Sequence, residues 1–143
     1  MIYTEQTVKA LKLCFEAHKD QVDKAGVPYV FHPFHLAEQM TDEASVTVAL
    51  LHDVVEDTDY TLEDLKALGF APEVVEAVAL LTHDPAVPYE EYLIPIKANP
   101  IACRVKLADL SHNSDPSRVR EVTPAMERRW ERYRKAKAFL AAP

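Results

Sequence analysis

Ala49-Leu50-Leu51-His52-Asp53-Val54-Val55-Glu56-Asp57-Thr58 is the stretch that decides the fold. A histidine and three carboxylates follow directly on an apolar run. At about 100° per residue, a helix sets His52, Asp53, Glu56 and Asp57 on one side and Leu50, Leu51, Val54 and Val55 on the other. A solvated helix face usually mixes in Lys and Arg, because like charges three or four residues apart repel. No cation stands here. The pattern therefore asks for an external positive charge, and a divalent metal supplies one.

Working outward, apolar residues recur at helical spacing through most of the chain. Val8, Leu11 and Phe15, with Ala10, Cys14 and Ala17, predict a first helix over 4–20. A loop with Gly26 and Pro28 follows, and Pro33 is expected to open a short helix reaching Met40. The helix carrying His52 is expected to start near Ser45. Thr61-Leu62-Glu63-Asp64 reads as a capping box with Asp in place of Glu, and Gly69 as the stop of that helix. Pro72 begins a helix to Leu81, and 89–99 reads as helical but interrupted at Pro95. Residues 100–113 and 124–140 complete the set, with Thr123 and Pro124 as cap and first residue of the last helix. The fold class is all-α, a compact helical bundle.

Composition narrows the function. In 143 residues, 48% hydrophobic content suffices for one core, so the chain reads as a single domain over 1–143. Two glycines are too few for an all-β fold or a glycine-rich phosphate loop. No apolar run is long enough for a membrane helix, and the start lacks the blocks of a signal peptide. Cys14 and Cys103 read as reduced thiols, so the expectation is a cytoplasmic protein without a membrane partner.

The net charge of −7 is unevenly spread: residues 1–117 hold 8 Lys+Arg against 20 Asp+Glu, and 118–143 hold 8 against 3. An acidic body disfavours nucleic acid. The basic tail either holds the anionic end of a small ligand or is simply a solvated helix. Composition leaves a monomer and a homo-oligomer both open.

Three separated segments carry the chemistry. In Pro28-Tyr29-Val30-Phe31-His32-Pro33, the proline biases His32 toward extended backbone at the start of a helix. The second segment holds His52, Asp53, Glu56 and Asp57. In the third, Val105-Lys106-Leu107-Ala108-Asp109-Leu110-Ser111-His112-Asn113, Asp109 and Asn113 lie one turn apart on one face. Two imidazoles and two carboxylates suit Mn²⁺, Fe²⁺ or Zn²⁺, with positions left for water and a phosphate oxygen. A neighbouring carboxylate can orient that water or take its proton. Spacing alone reaches metal-assisted phosphoester hydrolysis.

At these residues the chain resembles the HD-domain phosphohydrolases, and within them the hydrolase domain of the RelA/SpoT family and its small stand-alone relatives. The resemblance runs from His18 through the last helix. It is carried by His18-Lys-Asp-Gln21, Gly26-Val-Pro-Tyr29, His32-Pro33, Ala49-Leu-Leu-His52-Asp53, Glu56-Asp57-Thr58 and Lys106-Leu-Ala-Asp109 with Asn113. It implies His32, His52, Asp53 and Asp109 as metal ligands, normally for Mn²⁺, and Glu56 and Asp57 as the pair that positions or activates water. Lys24, Asn113, Arg129 and Tyr133 match substrate-contacting positions. The implied reaction removes the 3′-pyrophosphate of guanosine tetra- or pentaphosphate, a small nucleotide, with no room for a synthetase domain.

One departure stands out. Where these hydrolases usually carry Arg-Lys before the Gly-x-Pro-Tyr turn, this chain has Asp23-Lys24, and an aspartate cannot stack as a planar cation. That leaves two alternatives: an HD phosphohydrolase for another nucleotide or phosphorylated metabolite, and a nucleotide sensor without turnover, against which the retained Glu56 and Asp57 weigh.

Other residues are given bland roles. His18 is expected beside the substrate or behind the ligands, His35 packed or in solvent, and His83 in a loop without a partner. His112 is placed next to Asn113. Met126, Trp130, Tyr133, Lys137 and Leu140 read chiefly as a core-packing stripe.

Overall fold

A computed structural model describes residues 1–143 as helices joined by short turns, with one isolated antiparallel bridge between Val22 and Pro28. The order is α1 (Glu5–His18), α2 (Phe31–Glu38), α3 (Glu43–Leu51), α4 (Val54–Asp57), α5 (Leu62–Ala67), α6 (Pro72–Leu81), α7 (Tyr89–Ala98), α8 (Pro100–Asn113), a 3₁₀ turn (Pro116–Arg118) and α9 (Pro124–Ala141). The all-α expectation holds. No helix is long and apolar enough to cross a membrane.

The central element is α3. Every residue from Ser45 to Leu51 is buried, as befits a helix that is apolar all round and packed by α1, α2, α6 and α8. Its two buried hydroxyls are satisfied locally: Ser45 Oγ donates to Asp42 and Thr47 Oγ1 to the Glu43 carbonyl. Asp42 caps the helix by accepting from the Ser45 N–H at 2.8 Å, which starts it two residues earlier than the Ser45 expectation. Because α3 is gripped from all sides, the residue that follows it, His52, leaves the core in a fixed direction.

The continuous helix expected through His52 and Asp57 is broken. It stops at Leu51, turns through His52 and Asp53 (φ −104°, ψ 0°), and resumes as the single turn α4. The apolar residues stay inside across the break, with Leu50, Leu51 and Val54 fully buried.

His32 is also corrected. It lies inside α2, one residue before Pro33, and is not extended. Pro33 sits in the first turn, where its missing N–H has no intrahelical acceptor, so the ring is tolerated there.

The first helix buries Thr7, Ala10, Leu13, Cys14 and His18, while Val8 and Phe15 are exposed. Of the residues that the apolar spacing marked, Ala10 and Cys14 reach the core. Burial pushes the Cys14 thiol up to about 12, so it is inert core.

Thr61 and Asp64 form the expected box, each side chain accepting from the other's backbone N–H at 3.1 and 2.8 Å. Gly69, at φ +86°, ends α5 in the left-handed region that other residues avoid. The interruption expected at Pro95 is absent: α7 runs on to Ala98 and breaks at Asn99, whose side chain caps α8 ahead of Pro100.

On α9 only Ala136 and Leu140 are buried. The C-terminal half reaches the core, whereas Met126, Arg129, Trp130 and Tyr133 wall a cavity. That reverses the core-packing expectation for Met126 and Trp130.

Candidate metal centre and the cavity beside it

Four side chains from three places converge. Atoms of His32 on α2, His52 and Asp53 at the break, and Asp109 on α8 all lie within 4.8 Å of one another. His32, His52 and Asp109 are nearly inaccessible to solvent.

The hydrogen bonds around the group fix its polarity. His52 Nδ1 donates to the Ala49 carbonyl at 2.6 Å, so a neutral His52 presents a bare Nε2 lone pair. That nitrogen is buried without a well-aligned partner, 3.0 Å from Asp53 Oδ2 and 3.5 Å from Asp109 Oδ1. A lone pair aimed at two carboxylates is repulsive unless a cation or a proton lies between them. Burial opposes charge on His52, but Asp53 and Asp109 outweigh it and raise its pKa well above the ordinary value. The donor set and the unpartnered nitrogen fit a divalent metal.

His32 shows the same logic. Its Nε2 is 2.9 Å from Asp109 Oδ1, and its Nδ1 is 2.7 Å from Nδ1 of His112, whose ring lies nearly parallel to it with centroids 5.0 Å apart. Burial, then Arg118 and His32, lower the His112 pKa to about 4, so its ring is neutral near pH 7. A neutral His112 can accept the His32 Nδ1–H, which frees the His32 Nε2 lone pair for a metal. The His35 ring packs on His112 with centroids 4.2 Å apart.

The carboxylates are held as firmly. Asp109 Oδ1 accepts from Asn113 Nδ2 at 2.9 Å, and Oδ2 pairs with Lys106 Nζ at 3.0 Å. Burial would raise the Asp109 pKa, yet Lys106 and the two histidines hold it well below the usual range. Tyr29 donates its hydroxyl to Asp53 Oδ2. Burial, and then Asp53, raise the Tyr29 pKa, so it stays a donor. Behind it, His18 is wholly buried against the Tyr29 ring at 5.1 Å and meets Gln21 Oε1 at 2.9 Å. His18 thus packs behind Tyr29. Tyr29 and Lys106 lay within the quoted motifs, but nothing in their spacing gave them a task.

Asp57 and Glu56 differ in their surroundings. Partial burial, followed by the charges of Asp53 and Glu56, pushes Asp57 up to about 6. Glu56 Oε1 accepts from the backbone N–H of His83 at 2.7 Å, which ties α4 to the α6–α7 turn. His83 thus has a partner through its backbone, and its ring packs on Tyr92 at 4.4 Å.

A cavity of about 210 Å³ is lined by His52, Asp53, Glu56, Asp57, Lys106, Asp109, Asn113, Tyr29 and Tyr133. The last three also line a second cavity of about 350 Å³, which holds Asp23, Lys24, Arg118, Arg129 and Trp130. All four residues expected to touch substrate, Lys24, Asn113, Arg129 and Tyr133, face this larger space. Arg118 and Trp130 were missed. One lay in a polar segment without periodicity, and the other belonged to an apparent core stripe.

A helical domain that gathers two histidines and two carboxylates under a cation-lined cavity defines an HD-domain phosphohydrolase. No protein-family model matches the chain. Individual relatives do. The human guanosine-3′,5′-bis(diphosphate) 3′-pyrophosphohydrolase MESH1 is 32% identical over 94% of this chain and 79% of its own length. The Aquifex aeolicus protein named guanosine-3′,5′-bis(diphosphate) 3′-pyrophosphohydrolase is 31% identical over 78% of this chain, which spans only 18% of that longer protein. The solved structure of a metazoan SpoT ortholog, described as hydrolysing ppGpp, superposes with a TM-score of 0.76 at 27% identity, covering 98% of this chain and 87% of that one. The chain belongs to the guanosine-3′,5′-bis(diphosphate) 3′-pyrophosphohydrolase family.

Proposed function

We propose that this protein hydrolyses guanosine 3′,5′-bis(diphosphate) at its 3′-pyrophosphate, releasing pyrophosphate, with Mn²⁺ at His32, His52, Asp53 and Asp109. The observation that carries the reading is the buried His52 Nε2, aimed at Asp53 and Asp109 at the foot of a cavity that widens toward Lys24 and Arg129. Kinship with MESH1 supports the substrate.

A divalent cation there supplies Lewis acidity, drawing charge off a phosphoryl oxygen and acidifying water. The chain's own residues do the rest. Asp57, with its pKa pushed up to about 6, is matched to take a proton from water near neutral pH. Glu56, anchored by the His83 N–H, orients that water with its free oxygen. Attack on the inner phosphorus breaks its bond to the 3′ oxygen, which gains a proton as pyrophosphate leaves. Lys106 stays charged beside Asp109, held up by that carboxylate against the opposing effect of burial, and keeps Asp109 ionised. Lys24 and Arg129 line the route for the phosphates, and Asn113 and Tyr133 stand where the two cavities meet.

The test is a substrate panel on Mn²⁺-loaded protein. Pyrophosphate released from guanosine 3′,5′-bis(diphosphate) far faster than from other nucleotides is the expected result. Efficient cleavage of a different nucleotide, with the alarmone untouched, would overturn the substrate while leaving the chemistry.

A further inference from the structure

Arg118 reaches the larger cavity through a small, rigid piece of chain. Asp115 Oδ1 accepts from the Ser117 N–H and Oγ at 2.9 and 2.8 Å, Pro116 fixes the first position, and the resulting 3₁₀ turn ends at Arg118. The guanidinium is then held along its edge. Nη1 donates to the His112 carbonyl at 3.0 Å and to Asn113 Oδ1 at 3.2 Å, and Nη2 meets Asp23 Oδ2 at 3.4 Å.

Asp23 is itself immobilised. Its Oδ1 accepts from the N–H groups of Ala25 and Val27 at 2.9 and 3.0 Å, closing the loop in which Gly26 takes φ +83°. Asp23 is therefore a loop organiser whose remaining oxygen holds Arg118.

Resting on the alarmone reading above, we infer that Arg118 grips the nucleobase of the substrate with its planar face, and that Asp23 is the residue that positions it. Three of the five guanidinium N–H groups are already committed, and a carboxylate neutralises the charge. Such a group is poorly placed to collect a phosphate, which needs free N–H donors and net positive charge. It lines the larger cavity, by contrast, and a planar guanidinium stacks on aromatic rings.

Trp130 adds a second planar group to the same cavity, its indole N–H donating to the Asn113 carbonyl at 3.0 Å. Guanidinium and indole thus hang from consecutive carbonyls, 112 and 113, at the end of α8. Asn113 links this pair to the metal centre by donating to Asp109.

Trp130 is the sole tryptophan, so its fluorescence reports on this cavity without any turnover. Guanosine and guanosine 5′-diphosphate are titrated against wild type, Arg118→Lys, Arg118→Met and Asp23→Asn, each first shown to be folded by circular dichroism. Both Arg118 variants are expected to weaken binding of both ligands about tenfold, because charge without the plane does not stack. Asp23→Asn weakens binding less, and adds nothing in the Arg118→Met background.

Wild-type affinity in Arg118→Lys overturns the assignment, as does a loss seen with guanosine 5′-diphosphate but not with guanosine, or no wild-type response to either ligand. A protein that binds guanosine through Arg118 yet releases no pyrophosphate would retain this assignment and lose the catalytic one. Brisk alarmone turnover with guanosine binding unchanged in the Arg118 variants would do the reverse.

Discussion

His52 donates its Nδ1–H to the carbonyl of Ala49 at 2.6 Å, and this bond fixes which ring nitrogen faces Asp53 and Asp109. Those carboxylates raise its pKa against the opposing effect of burial, which favours a proton on the ring while no metal is bound. Binding a metal must expel that proton. Calorimetry of Mn²⁺ binding at pH 7 in buffers of different ionisation enthalpy should show about one proton released, and affinity should fall as the pH is lowered. Binding heats that do not depend on the buffer would contradict this.

Lys106 tests the other side of the centre. It is nearly buried and lies 3.0 Å from Asp109 Oδ2, so Lys106→Met strands a carboxylate. Removing one partner of a buried pair costs about 3–5 kcal/mol, and the lower end applies because Asn113 still donates to Asp109. Urea unfolding of metal-free protein measures the loss. Added Mn²⁺ should recover part of it, since the metal binds only the folded state; no recovery would show that the variant does not hold the metal.

Asp53→Ala should abolish metal retention, because it removes a ligand and frees the Tyr29 hydroxyl. Glu56→Gln should keep the metal, since the amide oxygen can still accept from the His83 N–H. Its kcat should fall by on the order of 10²–10⁴. Metal analysis after gel filtration, paired with turnover, separates the two roles. If Glu56→Gln loses metal as fully as Asp53→Ala, Glu56 is itself a ligand.

Asp57 makes a pH prediction. Its folded pKa is raised from 3.8 to about 6, chiefly by burial. A raised carboxylate opposes folding above about 6, progressively less between 6 and 3.8, and not at all below. Asp57→Asn should therefore raise the Tm of metal-free protein at pH 7.5, with the gain shrinking toward pH 4. Solvent damps the size of the effect, as the side chain is half-exposed. A gain that grows on acidification would reverse the assignment.

The sequence exposed the parts of this molecule that short-range chemistry writes down. Helix caps at Thr61 and Thr123, the stop at Gly69 and the paired His52-Asp53 all depend on neighbours within a turn. What it concealed depends on distant partners. The break after Leu51 comes where a helix packed on every side leaves the core. Tyr29 and Asp53 are 24 positions apart, and Asp23 and Arg118 are 95. Read alone, Asp23 is a lost cation that cannot stack on a base. In place, Asp23→Arg opens the Ala25–Val27 loop and sets two guanidinium groups against each other. The KM for alarmone should rise, and a lower KM would restore the reading from sequence.

The most direct measurement follows the reaction by ³¹P NMR in ¹⁸O-enriched water, with Mn²⁺-loaded protein and guanosine 3′,5′-bis(diphosphate). The account predicts guanosine 5′-diphosphate and pyrophosphate as the products, with the ¹⁸O in the pyrophosphate and none in the nucleoside. Release of orthophosphate, label on the ribose, or intact alarmone after prolonged incubation would contradict it.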